Sequence, residues 1–365
     1  MYGMNGIPKT ILIIYDILSD KPAPDDPNAE YTLADSRSEI TAVHDALKEG
    51  GYNVKMLGLK RINSKVIAKI EEIDPDAIFN LCESLYDNAK QEMYVAGLYE
   101  LLKIPYTGSP PFALGLALNK RKTKQILRAA GLPTAASIVV IQGESFSLSN
   151  LDAPYIVKPV REDASTGISG KSVINTKEEA VERVKFIHET YHQPALIEEF
   201  IAGREINVSI MGPSYDKSAE NAHIEPKVLA VGEVDFSKMP KEEPNIVSYQ
   251  AKWDPKSPLY EATEPRYPAT LDPEIKAKIE KVALRAYQEI GCRDYARVDG
   301  RLREDGKFFI LEINTNPDIS PEAGLDRAAH VAGMTYNQWM CEVASYALAR
   351  ASKKVKQELS TKSVI

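Results

Sequence analysis

The chain has 365 residues, 44% hydrophobic and 27% charged, with 45 Lys and Arg against 52 Asp and Glu and a net charge of −7. This is the profile of an ordinary globular protein with more than one core, since single cores seldom grow past about 250–300 residues. The acidic balance speaks against a nucleic-acid or anionic-membrane partner, because those are held by surplus Lys and Arg. Cys82, Cys292 and Cys341 are too few and too scattered for a disulfide framework or a thiolate metal site, and they suit a reducing, cytoplasmic setting. Met1–Lys9 carries no basic leader, and the apolar run Ile11–Tyr15 is too short for a signal segment or a membrane span.

In chain order, Thr10–Tyr15, Asn53–Leu59 and Asp76–Cys82 read as buried strands separated by helical patterns over Ser36–Glu49 and Asn63–Ile73. Gly50-Gly51 closes the first helix. This alternation predicts a parallel, doubly wound α/β unit over 1–111, without a G-x-G dinucleotide fingerprint. A long helix is expected over Phe112–Ala130, closed by Gly131 and Pro133. Strands follow at Ser137–Ile141, Tyr155–Val160 and Lys171–Asn175, with the Gly/Ser/Thr loop Arg161–Gly170 between the last two. Thr176 and Glu179 then open a helix as a capping box, and Ala195–Phe200 is again strand-like, completing a unit over 112–204. The remainder, 205–351, reads as α+β. It contains a Pro-rich stretch with the character of a lid at 237–268, a helix over Pro273–Ile290, and a polar tail from 352 to 365.

The most informative segment is Tyr295–Pro317. Two strand patterns flank Asp305-Gly306, a hairpin signal. With those two residues in the turn, Glu304 faces Lys307, Asp299 faces Glu312 and Arg297 faces Asn314. Residues two apart share a face, so all four site residues gather on one side. Two carboxylates and an amide oxygen make a hard-oxygen set suited to Mg²⁺ or Mn²⁺. Arg297 is also placed to pair with Glu312.

Ala-Arg-Val-Asp followed by Glu-Ile-Asn-Thr-Asn-Pro resembles the metal signature of the ATP-grasp superfamily, and the residues from about 97 to 350 most resemble its D-alanine–D-alanine ligases. The resemblance implies an ATP-grasp fold behind an N-terminal pre-ATP-grasp domain. It matches Lys120 (Leu-Asn-Lys) and Lys158 (Tyr-Ile-Val-Lys-Pro) to the nucleotide lysines, and Ser165 and Gly167 to the phosphate loop. Within Leu-Ile-Glu-Glu-Phe-Ile-Ala-Gly-Arg-Glu it implies Glu198, Phe200 and Ile201 at the adenine and Glu205 at the ribose. Lys252 corresponds to the lid lysine that meets the γ-phosphate. The resemblance implies that Asp299, Glu312 and Asn314 hold two metal ions, with Lys252 and Arg297 in catalytic roles. The activity implied is ATP-dependent joining of a carboxylate to an amine through an acyl phosphate, compatible with a homodimer. Phosphates need point charges and donated N–H groups, which such a set supplies.

The substrate end departs from the family. Tyr15–Asp35 reads as an Asp/Pro-rich loop lacking the family's Gly-Gly-x-Ser-x-Glu, with Glu30 and Glu39 as conceivable stand-ins. Ala164-Ser165 replaces paired serines, Trp253 a tyrosine, and Asn316-Pro317-Asp318 a Ser-Pro-Gly; Ala323 aligns with a carboxylate-gripping serine. The expectation is a relative that joins some other acid, an amino acid or dipeptide, to an amine. D-alanine–D-alanine ligation itself is the alternative, and a non-catalytic ATP-binding relative is a third. Two further motifs read as coincidences. Gly167–Ser172 ends like a P-loop but leads into a strand pattern. His188-Glu189-x-x-His192 spells a zinc-peptidase motif in a helix cut off by Pro194, which leaves a zinc metallopeptidase as the alternative of a different class.

Overall fold

The computed structural model describes residues 8–17, 29–86, 88–213 and 225–362, with the side chains of 29–36 and 351–362 outside the description. The first sheet is parallel, in the order β2-β1-β3, from β1 (Thr10–Asp16), β2 (Asn53–Leu59) and β3 (Ala77–Leu81). Its connections are α1 (Ala29–Glu49) and α2 (Ser64–Ile73), and α3 (Glu92–Leu101) follows. Both faces of β1 are covered. Ile11 and Ile13 join one core cluster, Leu12 and Ile14 another, which is why the strand reads as an unbroken apolar run. Asn63 starts α2 by accepting from the N–H groups of Lys65 and Val66 at 3.0 and 3.1 Å. The loop expected over Tyr15–Asp35 is shorter at both ends, because β1 reaches Asp16 and α1 begins at Ala29.

The helix expected over Phe112–Ala130 is two helices, α4 (Pro111–Ala117) and α5 (Lys120–Ala129). Asn119 makes the break by capping α5, its side chain accepting from Lys122 N at 3.2 Å. The second sheet is antiparallel, in the order β4-β7-β5-β6, from β4 (Ser137–Val140), β5 (Tyr155–Pro159), β6 (Val173–Ile174) and β7 (Ala195–Glu199). The strand expected from Lys171 is shorter, a 3₁₀ turn holding Gly170–Ser172. The predicted capping box opens α6 (Lys177–Tyr191): Glu179 N donates to Thr176 Oγ1 at 3.2 Å and Thr176 N to Glu179 Oε2 at 3.0 Å.

The third sheet, in the order β10-β9-β8-β11-β12, is built from β8 (Arg204–Gly212), β9 (Lys227–Asp235), β10 (Glu264–Arg266), β11 (Asp294–Leu302) and β12 (Phe308–Asn314). The short helices α7 (Tyr249–Trp253) and α8 (Pro258–Glu261) lie in the Pro-rich stretch, and α9 (Pro273–Ile290) covers the sheet. Ile206, Val208, Ile210, Ala296, Val298 and Ile310 pack with Ile279, Ala283 and Tyr287 of α9. The other face of the same strands is free to carry polar side chains. Two helices close the chain, α10 (Gly324–Val331) and α11 (Tyr336–Lys362). The last runs well past Ala351, so residues 352–362 are helical rather than an irregular tail.

The hairpin has the expected register at its functional end and not at its turn. Arg297 pairs with Asn314 and Asp299 with Glu312, but Gly300 pairs with Ile310, so Leu311 is an extra residue in β12. At the turn Arg303 N donates to Lys307 O at 3.0 Å, which leaves Glu304, Asp305 and Gly306 in the loop, with Gly306 at φ +80°. One residue more in the loop and one more in the bulge cancel. The site pairing survives.

Candidate active site

The polar face of the third sheet is written across three strands with a period of two. Glu205, Asn207 and Ser209 on β8 lie opposite Arg301, Asp299 and Arg297 on β11, and β12 adds Glu312 and Asn314. Asn207 Nδ2 donates to Asp299 Oδ1 at 2.7 Å. Arg297 grips Asp299 with a fork, Nε to Oδ1 at 2.7 Å and Nη2 to Oδ2 at 2.8 Å, instead of pairing with Glu312. Burial opposes the Arg297 charge, but Asp299 beside it raises the pKa further above the usual guanidinium range. Arg301 pairs with Glu205 at 2.9 Å, donates to Gly203 O at 3.1 Å and to Asn245 O, and stands 5.4 Å from the Phe200 ring centre. Burial nonetheless pushes the Glu205 carboxyl above its ordinary value against that arginine.

The second sheet faces this surface with lysines. Lys158 on β5 and Glu198 on β7 are diagonal neighbours, since Ile156 pairs with Glu198 and Lys158 with Leu196, and Lys158 Nζ reaches Glu198 Oε1 at 2.5 Å. Lys120 opens α5, donates to Glu162 O and stands 3.2 Å from Glu312 Oε2. Burial works against both partners of that pair, yet Glu312 is held down to about 2, chiefly by Lys120 and then Lys158, and Lys120 is raised by Glu312. Glu198, expected beside the adenine, is fully buried with its carboxylate between two lysines; their charges overcome desolvation and hold it at about 2.

Between the two sheets lies a cavity of about 590 Å³, lined by Lys158, Glu198, Phe200, Ile201, Glu205, Arg297, Asp299, Glu312 and Asn314, with Ser165 and Lys252 from the loop and lid side. Its volume is that of a cofactor- or nucleotide-sized ligand site. Ile156, Ile168, Ile246 and Leu311 supply apolar walls. The phosphate-loop segment is curled, Ala164, Ser165 and Gly167 all having positive φ (50°, 63° and 74°). A Cβ on Gly167 would lie 2.7 Å from the Pro159 ring, so no other residue fits there without displacement. The Pro-rich segment is clasped to this loop: Trp253 Nε1 donates to Ala164 O at 3.0 Å, Ser165 Oγ to Val247 O at 2.8 Å and Tyr249 N to Ile168 O at 2.9 Å. Lys252 Nζ rests 4.8 Å from the Trp253 ring centre.

A second cavity of about 150 Å³ shares Ala164, Lys252, Glu312 and Asn314 with the first. Its other walls carry Lys120 but are mostly acidic in charge, from Glu83, Glu92, Glu162, Asp163 and Asp318, with Asn316 and Ser320. Asn316 binds Glu92 Oε1 at 2.9 Å and Cys82 O at 3.3 Å, joining β12 to the N-terminal unit. Desolvation pushes the Glu92 carboxyl well above its ordinary value. Glu83 is raised in the same way, with Glu39 and Asp16 adding like charge. Of the stand-ins, Glu39 is buried and accepts from Ile319 N at 3.2 Å, whereas the Glu30 side chain lies outside the described residues. Ala323 precedes α10 and has no side-chain cap to give.

Every residue singled out in the sequence for the nucleotide and the metal lines one cavity or both except Gly167, which shapes the loop behind Ser165 without lining either. Sequence reasoning missed Lys124, which is only 2% exposed, and it missed Asn207 and Arg301. The alternation Glu205-x-Asn207-x-Ser209 was the available signal. Asp299, Glu312 and Asn314 fit a Mg²⁺-type ion, whose protein ligands are commonly one or two carboxylates with phosphate oxygens completing the shell. Among the described residues no group of three or more His, Cys, Asp or Glu forms a self-sufficient metal cage. The zinc-peptidase spelling has no matching geometry. His188 is buried with Nε2 3.0 Å from Val140 O, and His192 is the left-handed residue closing α6 (φ 50°).

Two facing sheets, a lysine-bearing strand, a glycine-bearing loop and a hard-oxygen hairpin around one cavity define an ATP-grasp protein. The match in three dimensions agrees: the crystal structure of D-alanine–D-alanine ligase from Bacillus anthracis complexed with ATP superposes with a TM-score of 0.70 at 22% identity, over 95% of this chain and 99% of that one. The family model described as D-ala D-ala ligase C-terminus matches residues 126–344. The D-alanine–D-alanine ligase of Rhizobium meliloti (strain 1021) is 31% identical over 320 residues, and that of Brucella anthropi 32% identical over 320; both alignments span 85% of this chain and 93% of the relative. The chain belongs to the D-alanine–D-alanine ligase family and is a ligase that forms an amide bond.

Proposed function

We propose that the protein activates a carboxylic acid with ATP and transfers the acyl group to an amine other than a second D-alanine. The observation that carries this reading is the pairing of two adjoining cavities, one lined by lysines and hard oxygens, the other by carboxylates that outnumber its two lysines, Lys120 and Lys252. The acid's carboxylate attacks the γ-phosphorus and ADP departs, leaving an acyl phosphate. The amine then adds to that carbonyl, and phosphate leaves from the tetrahedral intermediate. Lys120 and Lys158 bind nucleotide phosphates, and Lys252 meets the phosphoryl group in transfer. Arg297 spends one edge on Asp299 and keeps its remaining N–H groups for the oxyanion. Asp299, Glu312 and Asn314 would hold Mg²⁺ or Mn²⁺, which neutralises charge on the phosphoryl oxygens when bound. The clasp between lid and loop excludes water, which would otherwise hydrolyse the acyl phosphate.

The acidic wall of the smaller cavity suits a substrate with more ammonium than carboxylate groups, since a buried carboxylate is stabilised by a cation brought to it. Phosphate release from Mg·ATP over a panel of D- and L-amino acids, short peptides and diamines tests this. D-alanine–D-alanine ligation itself is a second reading, favoured by the names of the relatives above. Robust turnover on D-alanine alone at millimolar concentration selects it. ATP binding without turnover on any pair would make the protein a non-catalytic relative.

We also infer three units, 1–111, 112–204 and 205–351, supported by one sheet in each. Cytoplasmic residence is supported by Cys82, Cys292 and Cys341, none of them in a disulfide. Among the described residues no helix is long and apolar enough to cross a membrane. A homodimer is the assembly we propose, testable by light scattering.

A further inference from the structure

Lys124, Lys158 and Glu198 form a closed charge cluster between α5, β5 and β7. Glu198 is fully buried, and Lys124 Nζ lies 2.7 Å from its Oε2 while Lys158 Nζ lies 2.5 Å from its Oε1. The two lysines are not equivalent. Lys124 also reaches Thr134 Oγ1 at 2.6 Å and Ala135 O at 3.4 Å, so its three N–H groups have three protein partners. It is absent from the cavity wall. Lys158 lines the cavity, and Glu198 is the one carboxylate within ion-pair distance of it among the described residues.

We propose that Lys124 is a positioning residue that neutralises Glu198 and thereby releases Lys158 to a nucleotide phosphate. Two lysines against one carboxylate leave one positive charge over, and the geometry settles which lysine carries it. An unpaired carboxylate in a site shut off from water is costly, so Glu198 must keep a counter-ion at all times. With Lys124 present that need is met from behind the cavity. Without it Glu198 holds Lys158, and the phosphate must compete with a buried ion pair for the same ammonium. The inference rests on the nucleotide reading of the cavity.

The test measures binding of ATP and of adenosine by calorimetry to the full-length protein, for wild type, Lys124→Met, Lys124→Arg and the double variant Lys124→Met/Glu198→Gln. Lys124→Met is expected to weaken ATP at least tenfold and adenosine less than twofold, since only phosphate recognition is impaired. Lys124→Arg retains the charge and is expected to stay within about threefold of wild type for ATP. In the double variant the neutral amide no longer holds Lys158, so ATP binding is expected to recover most of the loss. Equal weakening of ATP and adenosine by Lys124→Met, or no recovery in the double variant, overturns the proposal in favour of a purely structural lysine. If Lys124→Met does not fold, the ratio of ATP to adenosine affinity in Glu198→Gln decides the matter, since any lost adenine contact weakens both ligands alike: the proposal expects a ratio at least as large as in wild type, and a tenfold fall in the ratio contradicts it. Absence of ATP binding to the wild type would instead defeat the nucleotide reading.

Discussion

Carboxylates sit at the heart of both cavities, but the two settle them in opposite ways. In the larger cavity each buried acid has a cation of the protein's own. Glu198 lies between two lysines, Glu312 beside Lys120 and Asp299 in the fork of Arg297, and the first two are held at about 2. In the smaller cavity Glu92 has an amide for a partner and its carboxyl is pushed up by desolvation. A site whose charges are already balanced is preorganised for a ligand that brings both signs, such as a metal-bound nucleotide. The smaller cavity has Lys120 and Lys252 on its wall but more acids than these two can balance, and the substrate is the natural source of the remaining positive charge.

The strongest way to break this contrast is Asp299→Asn. It removes a proposed metal ligand and the partner of Arg297, so phosphate release at saturating Mg·ATP is expected to fall on the order of 10²–10³-fold, with secondary structure by circular dichroism unchanged. Undiminished activity would sink the metal assignment.

Stability against pH reads the two signs directly. A carboxyl lowered on folding stabilises the fold above its ordinary pKa near 4.5 and loses that contribution as pH falls below it. For fully buried Glu198, held at about 2, this amounts to roughly 3 kcal/mol in all. Glu92 has the opposite sign: raised on folding, it favours the fold below pH 4.5, and that gain is lost as pH rises. Glu92→Gln is therefore expected to raise the urea midpoint at pH 7 by the equivalent of about 1 kcal/mol, the benefit vanishing below pH 4.5. A lower midpoint at pH 7 would contradict the desolvation account of this wall.

Asp318→Asn separates the cavities kinetically. Removing one wall charge is expected to raise the KM of the amine substrate about tenfold, near 1.4 kcal/mol, with the KM of ATP unchanged. Equal movement of both constants would show that the cavities act as one. The smallest effect is expected from Trp253→Phe, which deletes the bond to Ala164 O, worth about 1 kcal/mol. ATP hydrolysis uncoupled from amide formation should rise a few-fold as the clasp loosens.

What the sequence made legible followed from alternation and spacing. Asp299 and Glu312 face one another as the hairpin pattern required, and Thr176 with Glu179 capped the predicted helix. The extra residue at Leu311 was not legible, since a longer turn compensates the bulge and leaves no trace in the pairing of the acids. Asn119 broke a pattern that otherwise reads as one helix, because a cap is a local hydrogen bond and periodicity ignores it. Lys124 was hidden by its neighbours: among Lys120, Arg121 and Lys122 it reads as one more surface cation, and only Glu198, 74 positions on in the chain, explains its burial. Long-range charge pairing has no period.

The most direct test is steady-state phosphate release from Mg·ATP with D-alanine alone set against pairs of amino acids with diamines or basic amino acids. The account predicts slow release with D-alanine alone and release at least tenfold faster with a pair containing the more cationic amine, in step with amide product. Full turnover on D-alanine alone, unimproved by any cationic amine, would contradict it.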